Sequence, residues 1–82
     1  MVEVARLFRL DNGSALKAFA DISIAGQVLV KGVRVVEGKD GNLFVAMPQQ
    51  QGKDGRWHET VTLLNDEFKE SLQEIVLKAF NA

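Results

Sequence analysis

The sequence predicts an α+β fold: a five-stranded antiparallel sheet of consecutive hairpins with a C-terminal amphipathic helix packed on one face. Three observations lead there. Apolar residues alternate with a period of two along residues 16–24, as a strand with one buried face requires. Short segments bearing Gly, Asn and Asp interrupt the apolar runs at spacings suited to hairpin turns. After Asn65 the apolar period becomes helical and stays so. With 82 residues and 46% hydrophobic content the chain makes a single domain, 1–82, because two would leave neither with an adequate core.

Taken in order, residues 2–10 alternate loosely and run into Asp11-Asn12-Gly13-Ser14, whose residues tolerate positive φ and predict a hairpin turn. The second strand puts Leu16, Ala18, Ala20, Ile22 and Ile24 on one face, with Lys17, Phe19, Asp21 and Ser23 on the other. Ala25-Gly26-Gln27 predicts another turn, and residues 28–36 read as a long β-branched strand that Gly32 weakens or bends. Residues 43–47 make a fourth strand and 56–61 a fifth. The tetrapeptide Gly-Lys-Asp-Gly occurs at 38–41 and again at 52–55. Both copies read as turn chemistry, Asp bonding locally and Gly accepting αL geometry. A phosphate cradle is disfavoured, since neither copy precedes a P-loop Ser or Thr or joins a strand to a helix. In the last segment Phe68, Leu72, Ile75, Val76, Ala79 and Phe80 form an apolar stripe; Asn65 is a good N-cap, and Asp66 and Glu67 complement the helix dipole.

One helix covers one face of such a sheet, yet Leu7, Phe19, Leu29, Val33, Phe44 and Trp57 occupy alternate positions. A second copy is the economical cover, through sheet packing or edge pairing, so a homodimer is expected. The small size of the domain favours association too.

Composition narrows the chemistry. The absence of cysteine removes disulfides, thiolate nucleophiles and Cys-based zinc sites, and suits the cytoplasm. The opening Met1-Val2-Glu3-Val4 reads as strand and not as a signal peptide, and no apolar run approaches a membrane span. His58 has no nucleophile and orienting acid at a recognisable spacing, so it reads as an exposed strand residue and no enzyme is predicted. Trp57, facing the opposite side, reads as a core or interface anchor in preference to a base-stacking platform. Glu67, Glu70 and Glu74 lack a helical histidine partner and read as a solvated face, with Glu74 and Lys78 spaced for an ion pair. No metal or cofactor is expected.

The net charge is −1, which by itself disfavours phosphate binding. Its distribution matters more: residues 1–64 carry eight bases and seven acids, residues 65–82 two bases and four acids. Arg6, Arg9, Lys17, Lys31 and Arg34 lie on strands, where they could form a phosphate-contacting strip. Arg6 and Arg34 are read instead as snorkelling or pairing with an acid such as Glu37.

The segment Phe44-Val45-Ala46-Met47-Pro48, followed after a polar loop by Asp54-Gly55-Arg56-Trp57, resembles the core signature of the SpoVG family, the bacterial septation and stage V sporulation protein G proteins. Residues 4–10 resemble its first strand, and Val33-Arg34-Val35-Val36-Glu37-Gly38 its hydrophobic-Arg-Val-hydrophobic-acidic-Gly segment, so nearly the whole chain is covered. The resemblance implies a dimeric regulator that binds DNA or RNA and influences septum formation and gene expression. It places the binding edge on the 49–56 hairpin and the adjoining helix start, at Gln50, Gln51, Lys53, Arg56 and Lys69. This chain departs from the family there, with Gln50 and Gln51 where Lys-Arg is usual, and only Lys69 keeps a charge at the helix start. Losing two cations removes two phosphate contacts and flattens the salt dependence, which leaves a rival reading: a protein-interaction module on the same fold.

Overall fold

Strands β1 (Val2–Arg9), β2 (Leu16–Ile24), β3 (Val28–Glu37) and β4 (Leu43–Ala46) form an antiparallel meander in which each pairs with the next. The computed structural model describes residues 1–11 and 13–82. β1 and β2 are joined where a hairpin is expected, but the turn's Asn12 lies outside the described residues. The one helix among the described residues, α1 (Asp66–Phe80), packs across the sheet against β1 and β4, so the α+β class and the C-terminal helix agree with the sequence reading.

The five-stranded sheet does not form. The main sheet has four strands, and the predicted fifth is β6 (Trp57–Glu59), which pairs with β5 (Gln49–Gln51) in a separate two-stranded sheet. Pro48 supplies the reason. It has no N–H to donate to a ladder, so β4 ends before it and the chain leaves the sheet. The glutamines expected as loop become the partner strand, and Thr60 fixes the root of this hairpin by donating its backbone N–H (2.9 Å) and hydroxyl (3.3 Å) to the Pro48 carbonyl.

The face covered by α1 is chosen by bulges. The pairing slips at Ala5 in β1, at Lys17 in β2 and at Lys31-Gly32 in β3, where Gly32 takes φ +84°. Each extra residue reverses the inside–outside alternation beyond it. Val33 and Leu7, expected on the uncovered face, are therefore turned to the helix side: Val33 is fully buried, and Leu7 packs half-buried against the core. Val33 joins Ala18, Ala20, Ile22, Val30 and Val35 in the sheet's contribution, and α1 adds Leu72 and Val76. Leu77, outside the predicted stripe, also packs there.

Both helix ends are satisfied. The Asn65 side chain accepts the Phe68 N–H at 2.8 Å, the N-cap expected from sequence. At the other end Arg9 reaches from β1 to the terminal carbonyls, donating to Phe80 O at 2.8 Å and to Ala79 O and Ala82 O at 3.2 and 3.3 Å. Its guanidinium also lies 5.7 Å from the Phe80 ring centre. A cation at this end matches the negative pole of the helix and uses carbonyls that have no partner within it. Arg9, read from the sequence as one of a possible strip of strand cations, is thus engaged at the helix end.

The β2–β3 turn carries a small strain. Ala25 (φ 55°) and Gly26 (φ 67°) are both left-handed, with Gln27 N–H bonded to Ile24 O at 3.0 Å. That is the type I′ hairpin turn, which favours Asn-Gly, whereas alanine in αL costs about 1–2 kcal/mol. Ala25→Asn should therefore raise stability by about 1 kcal/mol, seen in thermal unfolding as a rise of about 4–8 °C; no rise would show that the turn does not hold this geometry in solution.

Candidate nucleic-acid interface

The two Gly-Lys-Asp-Gly copies fold alike. In the first, Gly38 N–H bonds Asn42 O, Gly41 N–H bonds Gly38 O, and Asp40 Oδ1 accepts the Asn42 N–H at 3.1 Å. In the second, Gly52 N–H bonds Arg56 O, Gly55 N–H bonds Gly52 O, and Asp54 Oδ1 accepts the Arg56 N–H at 3.0 Å. Gly41 and Gly55 take φ +84° and +80°. Each aspartate is occupied in closing its own turn, as read from the sequence.

The second turn presents the expected cations. Lys53 and Arg56 are exposed at the end of the β5–β6 hairpin. Asp54 between them reduces the local charge to a net +1 if His58 is neutral, and its carboxylate also lies 3.4 Å from His58 Nε2. The two glutamines differ. Gln51 donates its side-chain N–H to Gly55 O at 3.0 Å and so braces the turn, while Gln50 pairs across the hairpin with His58 and is exposed.

Lys69 stands apart from the turn. It lines a cleft of about 240 Å³ between α1 and the hairpin root, where Gln49, Glu59 and Gln73 are polar neighbours and Met47, Leu63 and Leu72 are apolar ones. Asp66 and Glu70 share its other side. The structure therefore joins Lys69 to the root of the hairpin, among acids, and not to the Lys53–Arg56 end.

The strand cations are largely engaged. Lys17 lies 3.9 Å from Glu37, and Arg34 donates to Met47 O at 3.4 Å and not to Glu37. Arg6 faces Asp21 in the register. On the face opposite α1, Phe8, Phe19, Leu29 and Phe44 are exposed, and Trp57 is 63% exposed on the hairpin beside it. Trp57 is thus not a core residue of this chain. Phe8, Phe19 and Arg34 follow one another across the sheet, a row that appears only once the bulges set the pairing.

Among the described residues no group of three His, Asp or Glu side chains could hold a metal ion, and no helix is long and apolar enough to cross a membrane. The elements define a small α+β domain of one meander, one hairpin and one helix, with cations and aromatic rings on exposed surfaces. The model of the SpoVG family matches residues 1–82, and the chain belongs to that family. It is 33% identical over 75 residues to a protein of Archaeoglobus fulgidus named as a SpoVG septation protein, spanning 92% of this chain and 87% of that one. Two Listeria monocytogenes relatives, SpoVG 1 and SpoVG 2, are 35% and 33% identical over 75 residues, spanning 92% of this chain and 72% of theirs.

Asp40 gives the first turn a pH signature. The Asn42 backbone N–H, and then its side-chain amide at 2.9 Å, hold the Asp40 carboxyl below its ordinary value of 3.8. A lowered folded value means that the stabilisation is present above 3.8 and is lost as pH falls through it and then through the lower folded value. Asp40→Ala should lower the melting temperature most at neutral pH, and the difference should shrink in acid. A difference independent of pH would locate the effect elsewhere.

Proposed function

We propose that this chain is a non-enzymatic, cytoplasmic nucleic-acid-binding regulator of the septation type, acting as a homodimer on DNA or RNA. Family membership across residues 1–82, with relatives named for septation, carries the reading. The exposed Lys53 and Arg56 support it, because a hairpin presenting two cations can follow a phosphate backbone. Gln50 adds a donor and acceptor for bases or sugars, Gln51 keeps its turn rigid, and Lys69 contributes from the helix start. With glutamines in place of a Lys-Arg pair, each chain makes few phosphate contacts, and dimerisation doubles them.

A second copy is supported by the uncovered side chains of Leu29 and Phe44 and by the free edge of β1, whose outer backbone groups pair with no strand among the described residues. The same uncovered residues favour one other reading, a module that binds a protein partner, since exposed apolar surface marks such sites.

Fluorescence anisotropy of labelled single-stranded RNA and duplex DNA, at low and near-physiological salt, tests the proposal. Binding should weaken with salt, and Lys53→Ala/Arg56→Ala should lower affinity and reduce the logarithmic salt slope by about 1.4–1.8 for each chain in contact. No binding at low salt, where attraction is greatest, would remove the regulator reading in favour of a protein partner. Light scattering of the eluted protein should give twice the chain mass of 9.1 kDa; a monomer at micromolar concentration would dismiss the homodimer.

A further inference from the structure

The open face of the sheet holds a depression of about 580 Å³ on the side away from α1, within the size range of small-ligand clefts, about 300–1,000 Å³. Phe19 and Trp57 bound it, Pro48 and Gln49 contribute from the hairpin root, and Lys31 and Arg34 bring two positive charges. No acidic residue lines it. The cleft around Lys69 differs, because Glu59 lines that one with the lysine. Gly32, without a side chain, lies in the same wall, and a Cβ placed there would meet Pro48 Cβ at 4.0 Å.

Two exposed rings, two cations and a glutamine are what an unpaired nucleotide requires. Its base offers π faces to aromatic rings, its phosphate calls for cations, and its base edge for an amide. A duplex cannot use this site, since its bases are already stacked and its faces closed. The ring of Phe8, opposite Phe19 in the register and exposed, continues the aromatic surface towards β1. Arg34 is partly buried and held by its bond to Met47 O, so one of the cations is already positioned. A second copy is a poorer occupant: a twofold contact centred here would set Lys31 and Arg34 against their own counterparts.

We propose that this depression binds single-stranded nucleic acid, with a base stacked at Phe19 and Trp57 and the adjoining phosphates on Lys31 and Arg34. The proposal rests on the nucleic-acid reading above and adds to it a strand state and a site that excludes the hairpin turn. Specificity for single strands then comes from the sheet face, and Lys53 and Arg56 supply attraction of a general kind.

Trp57 is the only tryptophan, so its emission reports on this site. Fluorescein-labelled oligo-dT and oligo-rU of about 12 nucleotides, a length within known single-strand site sizes, and a duplex DNA of equal length are the probes. Single strands should quench Trp57 emission. By anisotropy, Phe19→Ala and Trp57→Ala should each weaken single-strand binding by about 5- to 150-fold, the range set by stacking of one base. Trp57→Phe, which keeps a ring, should retain most of the affinity. Lys31→Gln/Arg34→Gln should reduce the salt slope by about 1.4 for each chain in contact. Circular-dichroism melts confirm that each variant is folded, which the exposure of Phe19 and Trp57 favours.

Single-strand binding that survives both aromatic substitutions but is lost in Lys53→Ala/Arg56→Ala would overturn this inference and leave the regulator reading intact. Absence of binding to any probe would overturn both. Trp57 emission that shifts with protein concentration alone and ignores oligonucleotide would assign the depression to a second copy and overturn the inference as well.

Discussion

Among the described residues a fifteen-residue helix is the main cover for a four-stranded sheet, and the strands carry more apolar side chains than one face can hold. That imbalance governs the rest of the molecule. Burial of apolar area is the main favourable term in folding, so the side that meets α1 has to collect the residues that pack best. Ala18 and Ala20 provide small, fully buried positions in β2, while Ile22, Val33 and Val35 fill the space around them. The bulges make this selection. Without the extra residue at Lys31-Gly32, Val33 would face outward and the valine sequence of β3 would be divided between core and solvent. The cost is an opposite face populated by Phe8, Phe19, Leu29 and Phe44, which the chain itself leaves uncovered.

Pro48 links this sheet to the surface that carries the charge. By ending β4 it detaches the following strands from the main ladder, and by accepting two hydrogen bonds from Thr60 it fixes the return of the chain. The β5–β6 hairpin becomes a projecting arm whose far end carries Lys53 and Arg56 and whose root stands between two clefts. One cleft faces the helix and is lined by both a lysine and a glutamate, and the other faces the open sheet with aromatic rings and cations. Gln49 lines both. A short arm rigidified by its turn thus sets two chemically different surfaces on either side of a single strand.

Much of this could be read from the residues. The period-two pattern of β2, the turn chemistry of Gly-Lys-Asp-Gly and the Asn65 cap are local signals, and local signals survive in a single sequence. Gly32 was legible as a weak point of β3, but its effect on Val33 was not, because a bulge is a property of two paired strands. Ala5 and Lys17 bear no mark of theirs at all. The glutamine strand was hidden for a related reason: Gln49, Gln50 and Gln51 are all exposed, so no alternation of burial betrays them. Lys53 and Arg56 were visible as turn cations, and their position followed from the turn. The role of Arg9 depends on carbonyls some seventy positions away, and the placing of Phe19 and Trp57 around one depression depends on where Pro48 sends the chain. Neither has a signature in spacing.

The hold of Arg9 on Ala79, Phe80 and Ala82 joins the first strand to the last helical turn. On the ribosome the meander can pair hairpin by hairpin as it emerges, yet the helix that will cover its apolar side is made after it. Until α1 is released, Ala18, Ile22, Val33 and Val35 face water together. The core is therefore completed only once α1 has followed the meander out, which makes the interval between the two the time when the nascent chain most needs shelter.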